Sequence, residues 1–253
     1  MSDSMDGKVV VVSGASAGIG KATAKRFADE GAHVVLLARR KARLDEAAAE
    51  IGRAAVPIPA DVGDPDSVRA AFAQVDAQFG HLDVLLNVAG AARVRLIEDA
   101  SDDDIASVVG ANFLGPIYTT RAAIPLLKKA GGGDIVNVSS EVTLDDLPLM
   151  TLYSATKRGL DGFTKTMTKE LKADKIRVTL VTMGTVDGTE FGDNFGPGDA
   201  ERAYPAWEED GYLTRVAGAH QPLDAAWVAD AMLYAVTRPR GMMMDVIHTR
   251  VFG

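Results

Sequence analysis

Short apolar, β-branched runs recur along the chain, each too short for a helix and each followed by a stretch with helical spacing. VVVVS (9–13), HVVLLA (33–38), VPI (56–58), LDVLLNV (82–88), DIVNVS (134–139), IRVTLVT (176–182) and MDVIHTRV (244–251) predict seven strands. The segments between them predict helices near 18–30, 41–51, 65–79, 101–130 in one or two pieces, 152–172 and 224–236. Strands alternating with helices imply right-handed crossovers and a parallel sheet. The strands are apolar throughout, as burial on both faces requires. Asp64-Pro65, Ser101 followed by Asp102 to Asp104, and Leu223-Asp224 read as helix starts, where acidic groups meet the positive end of the helix dipole. The SDDD cluster is therefore expected to be a cap and not a metal site. The stretch 187–222 breaks the rhythm with Gly, Pro and five aromatics, Phe191, Phe195, Tyr204, Trp207 and Tyr212. It is expected to be a substrate-lid insertion within one domain spanning 1–253.

Composition narrows the chemistry. A chain of 253 residues, 47% hydrophobic, suffices for one sizeable core. The absence of cysteine excludes disulfides, thiolate nucleophiles and sulfur-bound zinc. His33, His81, His220 and His248 lie far apart with no i, i+4 partner, so no metal site is expected. A net charge of -8 argues against nucleic acid or an anionic membrane as partner. The acidic start MSDSMDGK and the lack of any run of about 18 apolar residues lead us to expect a soluble, cytoplasmic protein.

SGASAGIG (13–20) joins the first strand to the first helix, with glycines at Gly14, Gly18 and Gly20 and with Ser16, Ala17 and Ile19 between and beside them. Such a turn lets backbone N–H groups approach a pyrophosphate at a helix N-terminus. At this place in the chain it predicts a Rossmann-type, doubly wound, seven-stranded parallel α/β sheet with helices on both faces. The second strand ends in LLARRK, with Ala38 where an NAD-binding chain carries an acid, then Arg39 and Arg40. Guanidinium groups in place of a carboxylate suit a 2′-phosphate, so NADP(H) is expected over NAD(H).

With these motifs the chain resembles the short-chain dehydrogenase/reductase family from about residue 6 to its C-terminus. SGASAGIG is similar to that family's glycine motif, Asp61-Val62 to its adenine contact, and NVAG (Asn87, Ala89, Gly90) to its N-N-A-G. Asn112 resembles the helix asparagine of the catalytic tetrad. Ser140 stands thirteen residues before Tyr153, and YSATK matches Y-x-x-x-K with Lys157. The resemblance implies that Tyr153 is the proton donor, that Ser140 holds the substrate oxygen, and that Lys157 binds the cofactor ribose. Asn112 would hold a water linking Lys157 to solvent. Lys157 and an oxidised nicotinamide would also draw the Tyr153 pKa down towards neutrality. Ser139 points oppositely to Ser140 on a strand, so only one can face the cofactor.

The chain departs from the family pattern after the sixth strand, where Met183 replaces the usual proline; Gly184, Val186 and Thr189 are still expected to line the cofactor. The C-terminus lacks a D-G-G ending and is more similar to the branch that includes hydroxy-acid and serine dehydrogenases. Glu141, Asp145 and Asp146 disfavour an anionic substrate, which leaves a neutral, partly apolar carbonyl compound or alcohol. The resemblance also implies a homotetramer or homodimer built on the helices near 101–130 and 152–172. Two rivals stand beside the reductase: a non-catalytic NADP(H)-sensing protein, against which the intact set of four catalytic residues counts, and an epimerase or dehydratase, which would carry a longer C-terminal region.

Overall fold

The computed structural model describes residues 4–190, 193, 195–213 and 222–251. Seven parallel strands run in the order β3-β2-β1-β4-β5-β6-β7: β1 (Val9–Ser13), β2 (His33–Ala38), β3 (Ala55–Pro59), β4 (Val84–Asn87), β5 (Gly133–Ser140), β6 (Ile176–Met183) and β7 (Val246–Thr249). The order reverses between β1 and β4, which is where such sheets open a ligand crevice at their C-terminal ends. Ser13 lies in register with Leu37 and Asn87, and Ser140 with Met183, so the strand ends form one rim.

Helices α1 (Gly18–Asp29), α2 (Lys41–Ile51), α3 (Pro65–Phe79), α4 (Asp102–Val109), α5 (Gly115–Lys129), α6 (Thr151–Glu170), α7 (Asp199–Glu209) and α8 (Ala225–Val236) connect and cover the strands. Alternation along β1 sends Val10 and Val12 into a core with Phe27, Leu44 and Met232, and Val9 and Val11 into a second with Phe72, Leu127 and Met167. Both faces are thereby dry. The caps fall where the acids predict them. Asp64 accepts from the N–H of Asp66, Asp224 from that of Ala226, and Ser101 forms a capping box with Asp104.

The 101–130 region, expected in one or two pieces, forms two, with α4 and α5 joined by a π-turn, Gly110–Leu114. Two features differ from the sequence expectation. Helix α7 forms inside the 187–222 stretch despite Pro205, because Trp207 and Ala203 gain a buried face. Strand β7 is half exposed, with Val246 at 49%, since it is the sheet edge and lacks a neighbour on one side. Arg177 on β6 fixes that edge from within. It is buried, paired to Asp134 at 2.6 Å, and its Nη1 and Nη2 donate to the carbonyls of Val236, Arg238 and Met242 at 2.8 Å.

Candidate active site

One end of the rim is built by the turn from β1 into α1. Gly14 adopts φ +73, and a side chain there would lie 2.8 Å from the Cα of Ala89. A Cβ on Gly20 would overlap the Gly14 carbonyl, so α1 packs on the turn only through glycine. Helix α1 starts without a side-chain cap or an acid in its first turn, unlike α3, α4 and α8. An uncapped helix start beside a glycine turn fits a pyrophosphate. Ser16 and Ala17 are half-buried in the turn and Ile19 is buried.

Around the rim, Arg39 is exposed and has no hydrogen bond or ion pair among the described residues, whereas Arg40 donates to both oxygens of Glu190 at 3.0 and 2.9 Å. Asp61 is exposed and accepts from the Gly63 N–H at 2.9 Å, while Val62 is buried beside it. The side chain of Asn87 is committed within the protein: it donates to Asn137 at 2.8 Å and accepts from Thr119 at 2.7 Å. Ser13 Oγ accepts from the N–H groups of Val88 and Ala89, each at 3.1 Å, and so pins the NVAG segment to β1. Gly90 faces Asn112 and Lys157.

Tyr153 and Lys157 stack one turn apart on α6, both buried. The Lys157 ammonium donates to the Val138 carbonyl at 2.8 Å and lies 5.7 Å from the centre of the Tyr153 ring. Burial lowers its pKa from 10.5 to about 8, against the nearby Asp161 carboxylate, which raises it. The Tyr153 pKa is raised above 10.0: burial dominates, a hydrogen bond with Ser140 pulls it down, and Tyr212 pushes it up. Among the protein groups alone, desolvation of the phenolate prevails and Lys157 turns to Val138; the expected fall also calls on the charge of an oxidised nicotinamide. Ser139 is fully buried and donates to Asp161 at 2.6 Å on the other side of the strand from Ser140.

Asn112 sits in the π-turn, a distortion common at functional sites. Its Nδ2 donates to the Ala91 carbonyl at 2.7 Å and to Thr156 at 3.1 Å, and its Oδ1 accepts from the Ala91 N–H at 2.8 Å. The side chain therefore clamps the end of β4 to α6.

The segment beyond β6 returns towards the glycine turn. Gly184 donates to the Thr249 carbonyl at 2.9 Å, and Glu141 fills the space a side chain there would need while it contacts His248 at 3.0 Å. Val186 bridges to Leu223, and Gly188 and Thr189 lie against Gly18. Taken together, a glycine turn under an uncapped helix, an unpartnered Arg39 and a Lys157 with one of three donors used leave room and chemistry for a dinucleotide.

The family model for short chain dehydrogenases matches residues 8–199. The chain belongs to that family. An uncharacterized oxidoreductase of Staphylococcus epidermidis is 29% identical over 248 residues, covering 96% of each protein. The 11-beta-hydroxysteroid dehydrogenase 1A of Arabidopsis thaliana is 38% identical over 206 residues, 79% of this chain and 58% of that protein. A solved structure of serine dehydrogenase in its closed form, complexed with NADP+, superposes with a TM-score of 0.82 at 27% identity, covering 95% of this chain and 93% of that one.

In this member of the short-chain dehydrogenase family, residues of the 195–213 segment pack directly on Tyr153. Tyr153 shares one apolar cluster with Val94, Leu149, Met150 and Trp207, and Phe195 and Tyr212 pack against it. Trp207 meets Phe195, Tyr204 and Tyr212 at ring-centre distances of 6.1, 5.9 and 6.0 Å and donates to the Pro148 carbonyl at 2.8 Å. Phe191 lies outside the described residues. Sequence reasoning did not single out Ser13, Asp161 or Glu190; their partners lie 75, 22 and 150 residues away, and no local spacing signals such contacts.

Proposed function

We propose that the protein is an NADP(H)-dependent carbonyl reductase or alcohol dehydrogenase for a small, neutral, partly apolar substrate. The observation that carries this is the Tyr153 hydroxyl, hydrogen-bonded to Ser140 and one helical turn from a buried Lys157, at the wall of an aromatic-lined lid. When bound, the nicotinamide supplies or accepts the hydride. Ser140 and Tyr153 present two donors to the carbonyl oxygen, and Tyr153 delivers the proton as alkoxide charge develops. Lys157 stabilises the resulting phenolate and holds the ribose. The Asn112 side chain fixes Ala91 and Thr156, which leaves its main chain in the π-turn as the group for a relay water. Gly14, Gly18 and Gly20 cradle the pyrophosphate, Asp61 and Val62 border the adenine, Asn87, Ala89 and Gly90 run beside it through their backbone, and Gly184, Val186 and Thr189 close over the nicotinamide half.

The unpartnered Arg39 and the NADP-bound serine dehydrogenase favour NADP(H) over NAD(H). An apolar pocket wall, and a Glu141 already in contact with His248, favour a neutral ketone or aldehyde. Association into a homodimer or homotetramer is supported by exposed Trp227 and Tyr234 on α8. Among the described residues no helix is long and apolar enough to cross a membrane and no cluster of metal-ligating side chains occurs. The net charge of -8 supports small molecules over nucleic acid as partners, and the proposed location is the cytoplasm. The test is NADPH oxidation across a panel of ketones and aldehydes, with Tyr153→Phe alongside. Turnover by the wild type and its loss in the variant, with NADPH binding retained, is expected; turnover in the variant overturns the assignment.

A further inference from the structure

The arm 187–190 spans the cofactor cradle. Asp187 donates its N–H to the Leu223 carbonyl at 2.9 Å, Gly188 and Thr189 press on Gly18 at the start of α1, and Glu190 then reaches α2 and the residue before it. There Arg40 binds both carboxylate oxygens, and Arg43 binds one of them. Glu190 thus bridges the two arginines. The hydrogen bond from Arg40 does most to hold the Glu190 carboxyl below its ordinary pKa; burial opposes it next, and the Arg40 charge and then Arg43 add to the lowering.

This carboxylate is held by arginines at and just beyond the end of β2. Arg39 and Arg40 follow Ala38 at the end of β2, where the adenine ribose of a dinucleotide lies in this type of sheet. Two cations share one anion, and all three side chains are about half exposed, at 47%, 51% and 42%. Exposed pairs of this kind are weak and yield to a stronger anion, and a phosphate dianion offers three acceptor oxygens to a guanidinium fork. A carboxylate left beside that phosphate also repels it.

We propose that Glu190 is a selectivity-determining residue that competes with the cofactor 2′-phosphate for Arg40 and Arg43, and so weakens the binding of 2′-phosphorylated dinucleotides relative to unphosphorylated ones. It rests on the NADP(H) reading above. Arg39, Arg40 and Arg43 stand at or just beyond the end of β2, and one acid is set against two of them, which moderates the preference for NADPH.

The experiment measures dissociation constants of NADPH, NADH and adenosine 2′,5′-bisphosphate for the whole protein by calorimetry, with Glu190→Gln, Glu190→Asp and Arg39→Ala. Glu190→Gln is expected to tighten NADPH and the bisphosphate by about tenfold, the scale of one charge-assisted contact, while NADH stays within about twofold. Glu190→Asp keeps the charge and is expected to stay nearer the wild type. An equal shift for NADPH and NADH, no shift, or weaker NADPH binding overturns the competition. Failure of the underlying reading looks different: the wild type would bind NADH as tightly as NADPH and Arg39→Ala would change neither, which removes the basis of the proposal as well. Unchanged thermal unfolding of the Gln variant, expected for an exposed side chain, separates selectivity from misfolding.

Discussion

The Lys157 ammonium is buried on α6, where it donates to one carbonyl with the Asp161 carboxylate nearby, so its protonation bears on stability and, on the proposed mechanism, on activity. Its pKa in the fold is about 8, against 10.5 in the unfolded chain. The charged form is present below pH 8 and is lost as pH rises through it. Tyr153 stays protonated beyond that point, so kcat/KM for NADPH is expected to fall along an alkaline limb near pH 8 that belongs to Lys157. A profile flat to pH 10 would exclude this. For stability the sign is opposite. Below pH 8 folded and unfolded chains both carry the charge, and the fold bears the whole desolvation penalty. Between 8 and 10.5 the unfolded chain keeps a proton that the folded one has released, so the Lys157 contribution makes stability rise with pH. Lys157→Met should abolish turnover and raise the thermal midpoint by several degrees, since a shift from 10.5 to about 8 corresponds to on the order of 3 kcal/mol. At this scale the motif residues were legible from spacing. The fate of their atoms was not: Lys157 reaching Val138, Asn112 gripping Ala91 and Tyr212 leaning on Tyr153 all depend on tertiary contacts.

Among the elements, the turn before α1 tolerates least. Gly20→Ala places a methyl group on the Gly14 carbonyl, and neither backbone can move without dragging β1 or α1. It is expected to destabilise the fold by roughly 1–3 kcal/mol and to abolish detectable NADPH binding; tight binding by the variant would show that the turn relaxes. Helix starts were legible because Asp64, Ser101 and Asp224 are short acceptors at the right offset from an apolar face. Helix α7 was not, since Gly198 before it and Pro205 within it read as a loop, and only its docking through Ala203 and Trp207 makes it helical. The π-turn likewise has no local signature: Asn112 needs Ala91, contributed by another element, to hold it.

For the molecule as a whole, Arg177 is the fastening between β5, β6 and the turn that delivers β7. Removing it by Arg177→Ala leaves Asp134 partly unpaired and frees the carbonyls after α8, which should cost about 3–5 kcal/mol. Urea titration would show the midpoint fall, and a variant as stable as the wild type would show that Arg240, also bound to Asp134, suffices. The strand order has a consequence of its own for synthesis. Each new strand leaving the ribosome finds its partner already made: β2 and then β3 add to one side of β1, and β4 through β7 add in turn to the other. No strand waits for a later one to fill a gap. The nascent chain can therefore zip outward in the order it is translated, and a chain that stops short of Val246 would emerge with β6 as a long, apolar, unprotected border inviting its neighbours to pair.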